Sequence, residues 1–212
     1  MTPLYLIKLV GLFIFAYILG SIPCGLVFTR MFCAVDPRQK GSRNIGAANV
    51  RRVAGSKIGA LTLIGDMLKG ALPVYLAYTV IDAEGPWDQV YISIIAYTAF
   101  MGHLYPLYLK FKNGGKGVAT AAGSFLVISP MACIIAVLVF ILFICVFNHV
   151  SAGSLAAAAA LPAAVWLSTH LTIITACSVL TGAFIYFRHL DNIKRIFSGA
   201  EPVIWEKKKN NP

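Results

Sequence analysis

Residues 4–29 read LYLIKLVGLFIFAYILGSIPCGLVFT, a run of 26 residues broken by one charge, Lys8. An α-helix needs about 20 consecutive apolar residues to cross the hydrocarbon core of a bilayer, so this run is long enough to span. Gly20, Ser21 and Pro23 lie toward its far end, where a kink is expected. The rest of the chain continues the pattern. Of its 212 residues, 58% are hydrophobic and only 12% charged, and the mean hydropathy is +0.78. Soluble domains carry about 25% charged residues. The composition therefore predicts an all-α integral membrane protein, a single membrane-embedded domain over residues 1–212. It excludes a soluble enzyme, a nucleic-acid-binding domain and a disordered tail.

The net charge of +10 would suggest a nucleic-acid partner in a soluble chain. Here 16 of the 18 basic residues fall in three short stretches, Arg30 to Lys57, Lys110 to Lys116 and Arg188 to Lys209. Basic clusters beside apolar runs mark cytoplasmic loops, and no nucleic-acid partner is expected. Lys207 to Lys209 read as orientation and attraction to anionic lipids. The three loops, at 30–57, 110–117 and 188–212, divide apolar runs at 4–29, 58–81, 89–109 and 118–129, then three more ending near Phe147, Leu167 and Phe187. If all three loops share one side, an even number of crossings separates each from the next. Seven helices meet that condition, with the N-terminus outside and the C-terminus inside. Five meet it only if two breaks are ignored, so seven is preferred. The turn from Asp82 to Asp88, with three acids and no bases, then lies outside. The five cysteines sit mostly in apolar sequence without CxxC or histidine at ligand spacing, and read as small apolar side chains. No cleavable leader is expected.

The basic loops are threaded with small polar residues. The first runs Gly41-Ser42-Arg43-Asn44-Ile45-Gly46-Ala47-Ala48-Asn49-Val50-Arg51-Arg52. Small residues let backbone N–H groups converge into an anion-binding concavity, and hydroxyl, amide and guanidinium groups complete a phosphate-recognition chemistry. A tight turn with solvated arginines is the alternative. In the second loop, Lys112-Asn113-Gly114-Gly115-Lys116-Gly117 feeds a helix, which presents free N–H groups and the positive end of its dipole to an anion. In the third, His189 and Asn192 are three apart and share a helix face, suited to a polyol or phosphate, or to an interfacial polar cap. Asp66 and Lys69, at i and i+3 in an apolar stretch, read as a structural ion pair, and His103 as an interfacial histidine.

Together these motifs resemble one family in order along nearly the whole chain: Gly20-Ser21-Ile22-Pro23-x-Gly25; Gly41-Ser42-x-Asn44-x-Gly46-Ala47-x-Asn49-x-x-Arg52; Asp66-x-x-Lys69-Gly70; Gly102-His103-x-x-Pro106; Gly114-Gly115-Lys116-Gly117-Val118-Ala119-Thr120; Val150-Ser151; and His189-x-x-Asn192-x-x-Arg195-x-x-x-Gly199-x-Glu201. The chain resembles the bacterial acyl-phosphate-dependent glycerol-3-phosphate acyltransferases of the PlsY type. It departs from their pattern at Ala48, where threonine is usual, at Arg43, where glycine is commoner, and at Asn113, one residue more before the glycine pair.

The resemblance implies transfer of a fatty acyl group from acyl-phosphate to the 1-hydroxyl of glycerol-3-phosphate, giving lysophosphatidic acid for phospholipid synthesis. It implies a bacterial inner-membrane protein with its active site at the cytoplasmic face and no cofactor or metal; protein partners are left open, a monomer being one option. Carried over by motif position, Ser42, Arg52, Lys116, His189 and Asn192 form the catalytic set that holds glycerol-3-phosphate. Asn44, Gly46, Asn49, Gly114, Gly115, Gly117 and Ser151 would form the acyl-phosphate pocket. Other readings meet specific absences. The His-x4-Asp acyltransferase dyad fails, because the fifth residue after each histidine is Tyr108, Ser154, Thr175 or Lys194. A metal-dependent phosphotransferase would need clustered aspartates, which eight acids in the chain do not supply. An anion transporter would need internal repeats and a site at mid-membrane.

Overall fold

The computed structural model describes residues 3–81 and 85–205, so Asp82 and Glu84 of the acidic turn and the Lys207–Lys209 tail lie outside the described residues. Every regular element among the described residues is helical. In chain order they are α1 (Pro3–Gly20), α2 (Cys24–Phe32), α3 (Ala47–Ala54), α4 (Ser56–Val80), α5 (Pro86–Leu104), α6 (Val118–Ile128), α7 (Pro130–Phe147), α8 (Val150–Thr169), α9 (Thr172–Arg188) and α10 (Leu190–Phe197).

Local chemistry sets the breaks. The first run separates into α1 and α2 at Ser21–Pro23, where proline lacks an N–H to continue the ladder. Pro130 occupies the first turn of α7, where its missing N–H costs nothing, and the Ser129 hydroxyl accepts from Ala132 N at 3.4 Å. Asn148 and His170 end α7 and α8 in the left-handed region, at φ 58° and 54°. The polar breaks at Asn148–Ser154 and Ser168–His170 are narrower than the sequence suggests. Ser154 and Ser168 turn their hydroxyls onto Val150 O and Ala164 O, at 2.9 and 2.8 Å, so they stay inside α8. Helix α3 is an element the polar first loop did not announce. It forms because Val50 is buried beside Gly25 of α2 and the Arg51 backbone and Cβ pack on Gly59 of α4, which leaves Arg52 at the cavity.

Among the described residues, five helices are long and apolar enough to cross a membrane, α1, α4, α5, α7 and α8, and α9 with α10 makes a sixth, bent by 57°. All seven expected apolar segments are present. However, α6 has 11 residues, a length of about 17 Å against a hydrocarbon core of about 30 Å. It nevertheless joins the two ends of the bundle as a short seventh passage, from Lys116 beside Asn192 to Ser129, whose hydroxyl meets Ser168 at the far end of α8. Burial separates interior from lipid-facing helices: more than half of the apolar stretch of α5 is buried, but only about a tenth of α7. Helix α4 packs against α1, α2, α3, α5 and α6. One apolar core runs from Leu12 and Ala16 of α1 through Val74, Ile95 and Phe125 to Leu161 and Ile174. The α4–α6 crossing is close because it is lined by glycine: a Cβ at Gly123 would lie 1.9 Å from Met67 O, and one at Gly70 2.1 Å from Thr120 O. That approach brings the N-terminus of short α6, with the second loop, against the middle of the bundle.

Candidate active site

A cavity of about 470 Å³ opens where the three basic loops meet. Its polar end is lined by Ser42, Asn44, Arg52, Lys116, His189 and Asn192, and Glu201 joins them. From there it continues between α4, α6, α7 and α8 along Met67, Phe125, Val137, Phe140 and Leu161. A basic mouth thus leads into an apolar channel.

The first loop is organised around Asn49, which is buried. Its side-chain amide donates toward Pro37 O, Lys40 O and Asn44 O, at 2.9, 3.1 and 2.8 Å, and its oxygen accepts from Ser42 N at 2.8 Å. Asn49 therefore shapes the loop and also lines the cavity. Asn44 accepts from Gly46 N at 2.8 Å, and Gly46 leads into α3, whose first residues, Ala47 and Ala48, line the cavity with Gly46. Beside the loop, a hydrogen bond from Arg38 draws the Asp36 carboxyl down to about 2.

In the second loop, Gly117 takes φ +85° and starts α6, and Asn113 takes φ 55°, a conformation asparagine tolerates. Lys116 and Gly117 line the cavity, whereas Gly114 and Gly115 do not. They are buried against the end of α5, with Gly115 N donating to His103 O at 3.2 Å. The Lys116 ammonium donates to the Asn192 side-chain oxygen. Burial pushes Lys116 down to about 8, with Glu201 opposing and Arg195 and Arg188 pressing the same way.

The third motif lies at the bend between α9 and α10. His189 is buried, and its Nδ1 meets Ile185 O at 2.8 Å. A carbonyl only accepts, so Nδ1 carries the proton and Nε2 remains an acceptor. The Asn192 amide donates to Glu201 at 2.6 Å, and Arg195 Nε donates to the other carboxylate oxygen at 2.8 Å. Burial would raise the Glu201 carboxyl, but Asn192, Ser151 and Arg195 outweigh it and hold it below the usual range. Ser151 lines the cavity at the start of α8.

The fold thus brings ten of the twelve expected residues to the cavity, all but Gly114 and Gly115. It adds Glu201, which the sequence motif contained without a role, and a buried charge cluster. Lys69 meets Asp66 at 2.9 Å and donates to Ile22 O at 2.8 Å, and His103 Nδ1 stands 3.7 Å from the same carboxylate. Helical spacing suggests the Asp66–Lys69 pair, but His103 joins it across helices, which no spacing within one helix reveals. Asp66 and His103 also line the cavity.

A family described as glycerol-3-phosphate acyltransferase matches residues 10–199. The glycerol-3-phosphate acyltransferase of Syntrophotalea carbinolica is 46% identical over 201 residues, covering 95% of this chain and 97% of that relative. That of Trichlorobacter lovleyi is 44% identical, covering 88% and 92%. The crystal structure of PlsY (YgiH), an integral membrane glycerol 3-phosphate acyltransferase, in its glycerol 3-phosphate form, superposes with a TM-score of 0.87 at 33% identity, over 93% of this chain and 96% of that one. A second PlsY structure, the lysophosphatidic acid form, gives a TM-score of 0.84 at 32% identity. With nearly the whole length matched in sequence and in fold, this chain belongs to the glycerol-3-phosphate acyltransferase family and is an integral membrane acyltransferase.

Proposed function

We propose that the chain transfers a fatty acyl group from acyl-phosphate to the 1-hydroxyl of glycerol-3-phosphate at the cytoplasmic face of the inner membrane, with its N-terminus outside and C-terminus inside. The observation that carries this reading is the shape of the cavity. A mouth with Arg52 and Lys116 suits phosphate, and a channel lined by Met67, Phe125, Val137, Phe140 and Leu161 suits a fatty chain. Relatives known as glycerol-3-phosphate acyltransferases, and PlsY in forms with glycerol 3-phosphate and with lysophosphatidic acid, support acceptor and product.

Acyl-phosphate is a mixed anhydride with a good leaving group, so orientation and charge stabilisation matter more than a strong base. The acceptor hydroxyl oxygen attacks the acyl carbon, an ester C–O bond forms, and the acyl C–O bond to phosphate breaks. The hydroxyl proton passes to the departing phosphate. Arg52 and Lys116 hold phosphate charge, while His189, Asn192 and Ser42 orient the acceptor. The N–H groups at the start of α3, after Gly46, face the donor. His189 fits a positioning role because a backbone carbonyl, not a carboxylate, orients its ring.

The decisive experiment offers purified protein palmitoyl-phosphate, palmitoyl-CoA or palmitoyl-acyl carrier protein and scores lysophosphatidic acid. Product from palmitoyl-phosphate is expected, and product from the thioesters alone overturns the donor assignment. Cysteine probes placed in residues 40–52 test the orientation: labelling from outside intact cells sinks it.

A further inference from the structure

Arg188 closes α9 one residue before His189 and is not among the residues lining the cavity. Its side chain reaches the second loop. Nη2 donates to Gly114 O at 2.8 Å and Nε to Gly115 O at 3.2 Å, and the guanidinium stands 5.9 Å from the centre of the Tyr105 ring. Tyr105 is itself held to α1, where Tyr17 donates to its carbonyl at 2.7 Å.

The opposite side of the same turn is held by α5. Gly115 N donates to His103 O, and there is no room for a side chain: a Cβ at Gly114 would lie 2.0 Å from Leu104 O, and one at Gly115 1.9 Å from His103 Nε2. Two consecutive glycines have no side chain with which to anchor themselves and wide backbone freedom. The two carbonyls are therefore the only handles this turn offers on the α9 side. A planar guanidinium can take both at once through two donors in fixed geometry, which an ammonium cannot.

We propose that Arg188 is a positioning residue for Lys116: by gripping the carbonyls of Gly114 and Gly115, it fixes the next residue and ties the second loop to the helix end that carries His189 and Asn192. The proposal rests on the reading of Lys116 as a phosphate-binding residue. The contact between Lys116 and Asn192 follows from the same clamp, since both partners are set by residues adjoining Arg188 in space or in sequence. A shift of about 1 Å in such a group can cost about a hundredfold in rate.

A double-mutant cycle with R188K and K116A tests this. R188K keeps the charge and the aliphatic stem but loses the two-pronged grip. Purified R188K is expected to unfold thermally close to the parent temperature, yet to lose at least about tenfold in kcat/KM, with KM for the phosphorylated substrates raised. In the K116A background, R188K is expected to cause no further loss, because residues acting as a unit are not additive. If K116A turns over too slowly, thermal stabilisation of each variant by glycerol-3-phosphate serves as the readout, and R188Q replaces R188K if the latter fails to fold. Unchanged kinetics in R188K, a loss explained by unfolding, or losses that multiply with K116A overturn the clamp. A harmless K116A overturns the reading of Lys116 beneath it.

Discussion

The Lys116 ammonium and the Asn192 side-chain oxygen form a hydrogen bond between positions 76 residues apart, one on a glycine loop and the other on the last helix. Asn192 passes the connection on, because its amide donates to Glu201, which also takes Arg195. A cation, an amide and a carboxylate are thus joined at the cavity mouth, and each holds the next in one orientation. Burial lowers Lys116 only to about 8, so it stays charged near neutral pH, as the proposed phosphate-binding role requires.

Arg52→Ala and Lys116→Ala each remove a charge facing the cavity. A charged hydrogen bond is worth roughly 1.5–3 kcal/mol, so kcat/KM should fall at least about tenfold for each. Lys208→Ala, in the tail, should leave it unchanged. Steady-state kinetics in matched detergent checks this, and equal losses at Lys208 and Lys116 would mean bulk charge rather than a site.

The pH dependence should carry the Lys116 signature. Its charged form is required and titrates near 8, so kcat/KM should fall as pH rises through that value. Lys116→Arg, protonated at every accessible pH, should lose that alkaline limb. Stability should move the other way. The unfolded lysine titrates near 10.4, so between about 8 and 10.4 the unfolded chain binds more protons and the Lys116 contribution to stability rises with pH. A pH–rate profile with the same limb in both proteins would remove Lys116 as its source.

His189→Ala and Asn192→Ala should raise KM for glycerol-3-phosphate and leave KM for acyl-phosphate near normal. A general base at His189 would instead lower kcat by about 10²–10⁴. Steady-state kinetics of both variants in matched detergent, with KM for each substrate and kcat read separately, separates the two.

Gly115→Ala should damage both folding and activity, since its Cβ would fall 1.9 Å from the His103 ring. Thermal unfolding and kcat/KM should fall together, and a stable, active G115A would show that the α5 end yields.

Asp66→Asn strands the Lys69 charge, which is 3% exposed and otherwise paired. Breaking a buried pair costs about 3–5 kcal/mol, so the unfolding temperature in detergent should drop sharply. Lysine and aspartate exchanged together, D66K/K69D, should recover part of the loss.

The sequence by itself determined the kind of molecule and the chemistry of its loops. Apolar runs without charge admit only helices in a bilayer, because backbone groups there must bond within their own segment. Local signals also placed the breaks at Pro23, Pro130, Asn148 and His170, since proline and left-handed residues act within a turn or two. Ser42, Arg52, Lys116, His189 and Asn192 were legible through the family resemblance, position by position along the motifs, and all five line the cavity.

Tertiary structure decided the rest. Periodicity within one helix cannot say which faces of different helices meet, so His103 joining Asp66 and Lys69, and Arg188 reaching Gly114 and Gly115, emerge only when α5 and α9 pack. The division of labour inside the motifs is likewise spatial. Asn49 serves its own loop and Gly114 and Gly115 lie behind the wall, while Lys116, one residue on, faces the cavity. Even the short α6 depends on context: it is held by glycine contacts to α4, not by its length. Packing of distant segments is a sum over contacts that no local stretch contains, and here that sum chose which polar residues line the cavity.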